Sequence, residues 1–176
     1  MELNKIIKPK GPFLLLAVLI FDFSSCTISY KFNGASIDYT KTRSISIADF
    51  PNTAELVHPP LSQEFSEKLR DVYTKQTRLQ VLKKAGDMHL EGEITGYQLT
   101  PMAISADTYA SETKLTITIK VRFTNNKNPT EDFEKTYSAY QTFDSNLMLN
   151  DVQDELLKTM IDEITDNIYN DTVARW

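Results

Sequence analysis

One cysteine, two histidines and five glycines among 176 residues are too few for several common chemistries. A single cysteine excludes an internal disulfide and, in an exported chain, leaves a thiol that needs another explanation. Serine-type hydrolysis requires a nucleophile near a histidine that a third group orients. His58 stands between a valine and two prolines and His89 lies in an alternating segment, and neither has a motif around it. Glycine is sparse and forms no phosphate loop, and with ample aromatic content the chain reads as ordered rather than linker. An excess of positive charge is also missing, since 19 Lys and Arg face 24 Asp and Glu. That balance disfavours nucleic acid as a partner. There is no repeat and no low-complexity tract.

A hydrophobic run of spanning length is absent too. Phe13 to Phe21 is unbroken but short; at about 1.5 Å per residue it covers only about half of a ~30 Å hydrocarbon core. Lys5, Lys8 and Lys10 precede it and Ser24 and Ser25 follow, the order of an export signal. Residues 1–25 are therefore expected to be removed. Phe23-Ser24-Ser25-Cys26 resembles a bacterial lipobox, in which the cysteine becomes the lipid-bearing first residue, although Phe23 replaces the usual aliphatic residue and Asp22 interrupts the apolar approach. Lipidation of Cys26 would account for the thiol, and several acyl chains at about 0.8 kcal/mol per CH₂ would hold the protein to a membrane nearly permanently. The alternative is a plain cleaved signal with an incidental cysteine. Without residues 1–25 the chain carries 16 basic and 22 acidic residues, a formal charge of −6. About 150 residues make one domain with a proper core. Residues 26–41 read as a lipidated tether and 42–176 as the domain.

Within the domain, Thr42 to Ala48 alternates, with Ile45 and Ile47 opposite Ser44 and Ser46, which predicts a half-buried strand. Pro59-Pro60 opens a helix in which Leu61, Phe65, Leu69, Val72 and Tyr73 form one apolar stripe. Met88, Leu90, Gly92 and Ile94 alternate until Gly96, where the phase slips and Tyr97 and Leu99 take the apolar positions, the mark of a bulge. Leu115, Ile117, Ile119, Val121 and Phe123 give the clearest strand, opposite Thr116, Thr118, Lys120 and Arg122. Phe133, Tyr137, Ala139 and Phe143 mark its return, with Glu134, Thr136, Ser138 and Tyr140 opposite. Asn150 reads as the N-cap of a last helix with Gln153 in capping-box spacing, and Val152, Leu156, Met160, Ile164 and Ile168 as its stripe, flanked by Leu157 and Ile161. The expected fold is α+β: a two-layer sandwich with two helices on one face of a four-stranded, mostly antiparallel but mixed sheet. The first strand has a parallel neighbour and the other sheet face is polar and uncovered.

No catalytic residue is expected. His89, Glu91 and Glu93 lie about 7 Å apart along one strand, a line rather than a metal cage, and Glu91 with Glu93 reads as a solvated strand face rather than a glycosidase pair. No metal and no cofactor is expected. Two features carry functional weight. Lys120 and Arg122, with Lys114, Lys127 and Lys135 nearby, make the open face locally basic; either that face is simply solvated or it binds phosphates or carboxylates of an anionic glycolipid. The link from Thr100 to Thr113 holds Met102, Ile104 and Tyr109, apolar residues that either fold back on the core or meet a partner.

The segments TRSISIADFPNTA at 42–54, LSQEFSEKLRDVYTKQTRLQ at 61–80, HLEGEITGYQLTP at 89–101 and LTITIKVRFTN at 115–125, with the closing acidic helix ending VARW, resemble the LptE family of outer-membrane lipopolysaccharide-assembly lipoproteins. The specificity lies in their order together with the lipid-type cysteine. That resemblance implies a non-enzymatic partner of the β-barrel LptD. Such a partner sits in the barrel as a plug, assists its assembly and helps deliver lipopolysaccharide to the outer leaflet, lipid-anchored at the cell outer membrane. It also implies a two-helix layer on a four-stranded sheet. The resemblance aligns no contact residues; from their strand face Lys120 and Arg122 are the expected lipopolysaccharide contacts, and from the apolar link Met102, Ile104 and Tyr109 the expected partner contacts. The competing class is a lipid-binding or transport-auxiliary lipoprotein that faces the periplasm and has no barrel partner.

Overall fold

The computed structural model describes residues 37–102 and 111–174. Strand β1 (Ser44–Ile47) buries Ile45 and Ile47 on the core side, as the alternation requires. Helix α1 (Pro59–Gln76) starts on its two prolines, and Leu61, Phe65, Leu69, Val72 and Tyr73 are all buried. Each such apolar side chain removed from water contributes about 1.5–3 kcal/mol, so this one stripe is what binds the helix to the sheet.

A short strand β2 (Gln80–Leu82) follows and pairs in parallel with the outer edge of β1, Ile45 opposite Val81. The sheet therefore has five strands in the order β2-β1-β3-β4-β5, and the expectation of four is corrected. Three residues are too few to show a period of two, and only pairing with β1 defines them as a strand.

Strands β3 (Met88–Pro101), β4 (Glu112–Asn125) and β5 (Phe133–Asp144) form the expected antiparallel meander. β1 runs parallel to β3, Ile45 opposite Met88, as a helical crossover favours. The β3–β4 register shifts between Ile94 and Gly96; this bulge is what moves Tyr97 into the core, where it is 5% exposed. Gly92 has another reason to be glycine. A Cβ there would stand 2.1 Å from the Lys120 carbonyl oxygen and 2.6 Å from the Phe50 ring. At roughly 3.3 Å per residue β3 extends about 45 Å, and β1 begins at its Met88 end, away from Met102.

Helix α2 (Leu149–Thr172) is capped by Met148, without a side-chain bond. The expected Asn150 cap and Gln153 capping box are absent because Gln153 is buried, 7% exposed, and its amide lies 2.5 Å from His58 Nδ1. Val152 and Leu156 are only partly buried, so the first turns present Gln153 and Leu157 to the core. Both helices share one apolar core with the sheet. Their C-terminal ends are clipped together: the Tyr73 hydroxyl bonds Thr172 Oγ1, Tyr169 donates to the Gln76 carbonyl at 3.2 Å, and the Tyr73 and Tyr169 rings meet edge to face at 5.7 Å. Burial raises the Tyr73 hydroxyl above the usual phenol range.

Candidate functional site

The uncovered sheet face is built by parity. With Leu115 to Phe123 turned into the core, Lys120 and Arg122 of β4 point outward, and register sets Arg122 between Glu91 of β3 and Glu134 of β5, and Lys120 between Glu93 and Thr136. Arg122 Nε donates to Glu91 Oε1 at 2.7 Å and its Nη2 bonds the same oxygen. Lys120 Nζ lies diagonally 2.7 Å from Glu134 Oε1. Glu93 accepts from the Thr53 hydroxyl at 3.2 Å.

The acid–base shifts follow from these contacts. The Arg122 hydrogen bond, then that of His89, lowers the Glu91 carboxyl below its ordinary range, and Lys120 does the same to Glu134. In return, Glu134 raises Lys120 and Glu91 raises Arg122. Three carboxylates thus surround two cations over a shallow depression of about 330 Å³ floored by Gly92 and Val121. The expected basic patch is instead a ladder of alternating charge. Lys135 lies on the opposite, helix-covered side, bound to Asp171 at 2.5 Å. Lys127 is held by Asp87 at 3.2 Å.

One arrangement here was not visible in the sequence. Ser46 Oγ lies 2.7 Å from His89 Nδ1, and His89 Nε2 lies 3.1 Å from Glu91 Oε2, the serine–histidine–carboxylate line that nucleophilic hydrolysis uses. It depends on the cross-strand register that pairs Ser46 of β1 with His89 of β3. Access decides against chemistry. Ser46 is 0% exposed, and its Oγ also contacts the Gly86 N–H and the Met88 carbonyl, each at 3.3 Å, so no substrate carbonyl reaches it. The line instead fixes β1 to β3. Among the described residues no group of three or more His, Cys, Asp or Glu could hold a metal ion.

At the far end of β3, Met102 is 41% exposed and its N–H donates to the Glu112 carbonyl at 2.8 Å. Leu99 and Leu56 line one shallow cavity there, and Leu147 and Met148 are exposed where β5 turns into α2. Beneath them His58 stacks on Tyr97 with centroids 6.1 Å apart. The other expected partner contacts, Ile104 and Tyr109, and the expected lipidation site Cys26 lie outside the described residues. Among the described residues, no helix is long and apolar enough to cross a membrane.

Two helices on one side of a mixed sheet, with a polar face left open, place the chain among the small α+β domains found in solved bacterial lipoproteins. The rare lipoprotein B from Shewanella oneidensis aligns with a TM-score of 0.50 at 12% identity over 73% of this chain and 92% of that one. A minor lipoprotein from Acinetobacter baumannii aligns at 0.42 and 14% identity over 68% and 89%, and lipoprotein GNA1162 from Neisseria meningitidis at 0.42 and 13% over 73% and 99%. No curated protein matches the sequence. The chain belongs to the LptE family, lipopolysaccharide-assembly, whose model matches residues 42–172. The work of that family is lipopolysaccharide assembly.

Proposed function

We propose that this chain is an outer-membrane lipoprotein, anchored by acyl chains on Cys26, that partners and plugs an LptD-type β-barrel. In that position it assists the barrel's assembly and helps deliver lipopolysaccharide to the outer leaflet. The family match over residues 42–172 carries the reading. The open sheet face supports it, because a polar, nearly charge-balanced surface suits the hydrophilic interior of a barrel. Met102, with Ile104 and Tyr109 beyond it, is the proposed barrel contact. Lys120 and Arg122 are the proposed lipopolysaccharide contacts, which phosphates reach by displacing the exposed Glu134 carboxylate from Lys120 and the half-buried Glu91 carboxylate from Arg122.

Affinity purification of the full-length protein after mild detergent extraction, followed by mass spectrometry, tests the reading. A large outer-membrane barrel should co-elute, and the N-terminal peptide should carry acyl chains on Cys26; Cys26→Ala should move the protein to the soluble fraction. Elution without a barrel would leave the lipid-binding auxiliary reading in its place. Unchanged lipopolysaccharide pull-down by a Lys120→Ala, Arg122→Ala double variant would remove those two contacts.

A further inference from the structure

The open face is chemically divided at the β3 bulge. Toward Met88 it holds the charged ladder. Beyond the bulge the cross-strand rows are Gly96–Thr118–Ser138, Gln98–Thr116–Tyr140 and Thr100–Lys114–Thr142, with one formal charge among them, before the closing pair Glu112–Asp144 sets two carboxylates at the tip. Tyr140 is 61% exposed, and the Lys114 ammonium stands 5.6 Å from its ring centroid. The side chains of Gln98, Thr116 and Thr142 and the Tyr140 hydroxyl make no hydrogen bond to another described residue.

A flat sheet bearing one aromatic plate among unspent hydroxyls and an amide matches one ligand chemistry. A sugar ring lays its C–H face on the aromatic ring and exchanges hydrogen bonds with the flanking side chains. An acyl chain would strand those polar groups away from water. A phosphate would find only Lys114, a weak grip without a second cation. Resting on the assembly reading above, we propose that the Tyr140 half of the open face is a saccharide platform that takes the uncharged sugar portion of the glycolipid, while the charged half meets its phosphates.

The test uses the mature lipoprotein in detergent and an oligosaccharide released from lipopolysaccharide with its acyl chains and phosphates removed. Saturation transfer from the protein to sugar ring protons should be seen, and Tyr140→Ala should weaken the titrated affinity about tenfold or more while Tyr140→Phe, which keeps the ring and gives up one hydroxyl, loses only about twofold to threefold. Circular dichroism on each variant checks the fold. Absence of transfer, or binding of the stripped oligosaccharide that Tyr140→Ala leaves unchanged, overturns the platform. Barrel co-elution measured on the same preparations separates the two readings. A barrel that co-elutes with protein deaf to the sugar sinks the platform alone, whereas a missing barrel sinks the assembly reading and leaves the platform to the titration.

Discussion

Replacing Asp87 with asparagine should cost stability in a way that depends on pH. Asp87 precedes β3 and holds the start of β1: its Oδ2 accepts from the Arg43 N–H at 2.9 Å, the Ser44 N–H at 3.2 Å and the Ser44 hydroxyl at 3.1 Å, and its Oδ1 pairs with Lys127 at 3.2 Å. These contacts, the Arg43 backbone bond foremost, lower its pKa from 3.8 to about 2. A carboxyl more acidic in the folded state stabilises the fold fully above its unfolded pKa, and that contribution fades as pH falls from about 4 toward 2. At about 1.36 kcal/mol per pH unit the ceiling is near ~2.5 kcal/mol. The side chain is 23% exposed and Lys127 is 47% exposed, so screening reduces the expected value to about 1–2 kcal/mol. Urea unfolding followed by circular dichroism from pH 7 down to pH 2 measures it. The gap between wild type and Asp87→Asn should be widest at neutral pH and close toward pH 2. A gap that stays constant over that range, or none at pH 7, refutes the account of how β1 is held.

Gly92→Ala places a methyl against backbone and should lower stability by about 2 kcal/mol or more, whereas at Gly96 the nearest atom to a new Cβ is Thr118 Cβ at 3.0 Å and the loss should be smaller; thermal melts giving equal losses would count against the register. Thr172 already donates to the Ile168 carbonyl at 2.8 Å, so Tyr73 is the donor between them. Tyr73→Phe should therefore cost about 1–2 kcal/mol by urea unfolding, and adding Thr172→Val should cost less than the two changes summed. A fluorophosphonate probe should leave Ser46 unlabelled in the folded protein, and labelling there would reopen the hydrolase reading that burial closes.

Most of the fold was legible in residue spacing. Ile45 and Ile47, the α1 stripe, the slip at Gly96 and the run from Leu115 to Phe123 are long or regular enough to show their period, and the parallel placement of β1 follows from its helical crossover. β2 was not legible, since pairing with β1 defines it. The start of α2 misled because Val152 and Leu156 keep helical spacing beside Gln153, a polar residue buried only because His58 receives it. The charged ladder was half legible. Parity put Lys120 and Arg122 outward, whereas Lys135, expected near that face, shares its parity with Phe133 and Tyr137 and lies on the helix side. Their carboxylate partners depend on cross-strand register, which a single strand's pattern does not contain.

β1 enters the sheet beside Met88 while Met102 lies about 45 Å away along β3. The apolar tip around Leu99 and Met102 is thus carried at the end of a stiff mast, braced by β4 along nearly its whole length.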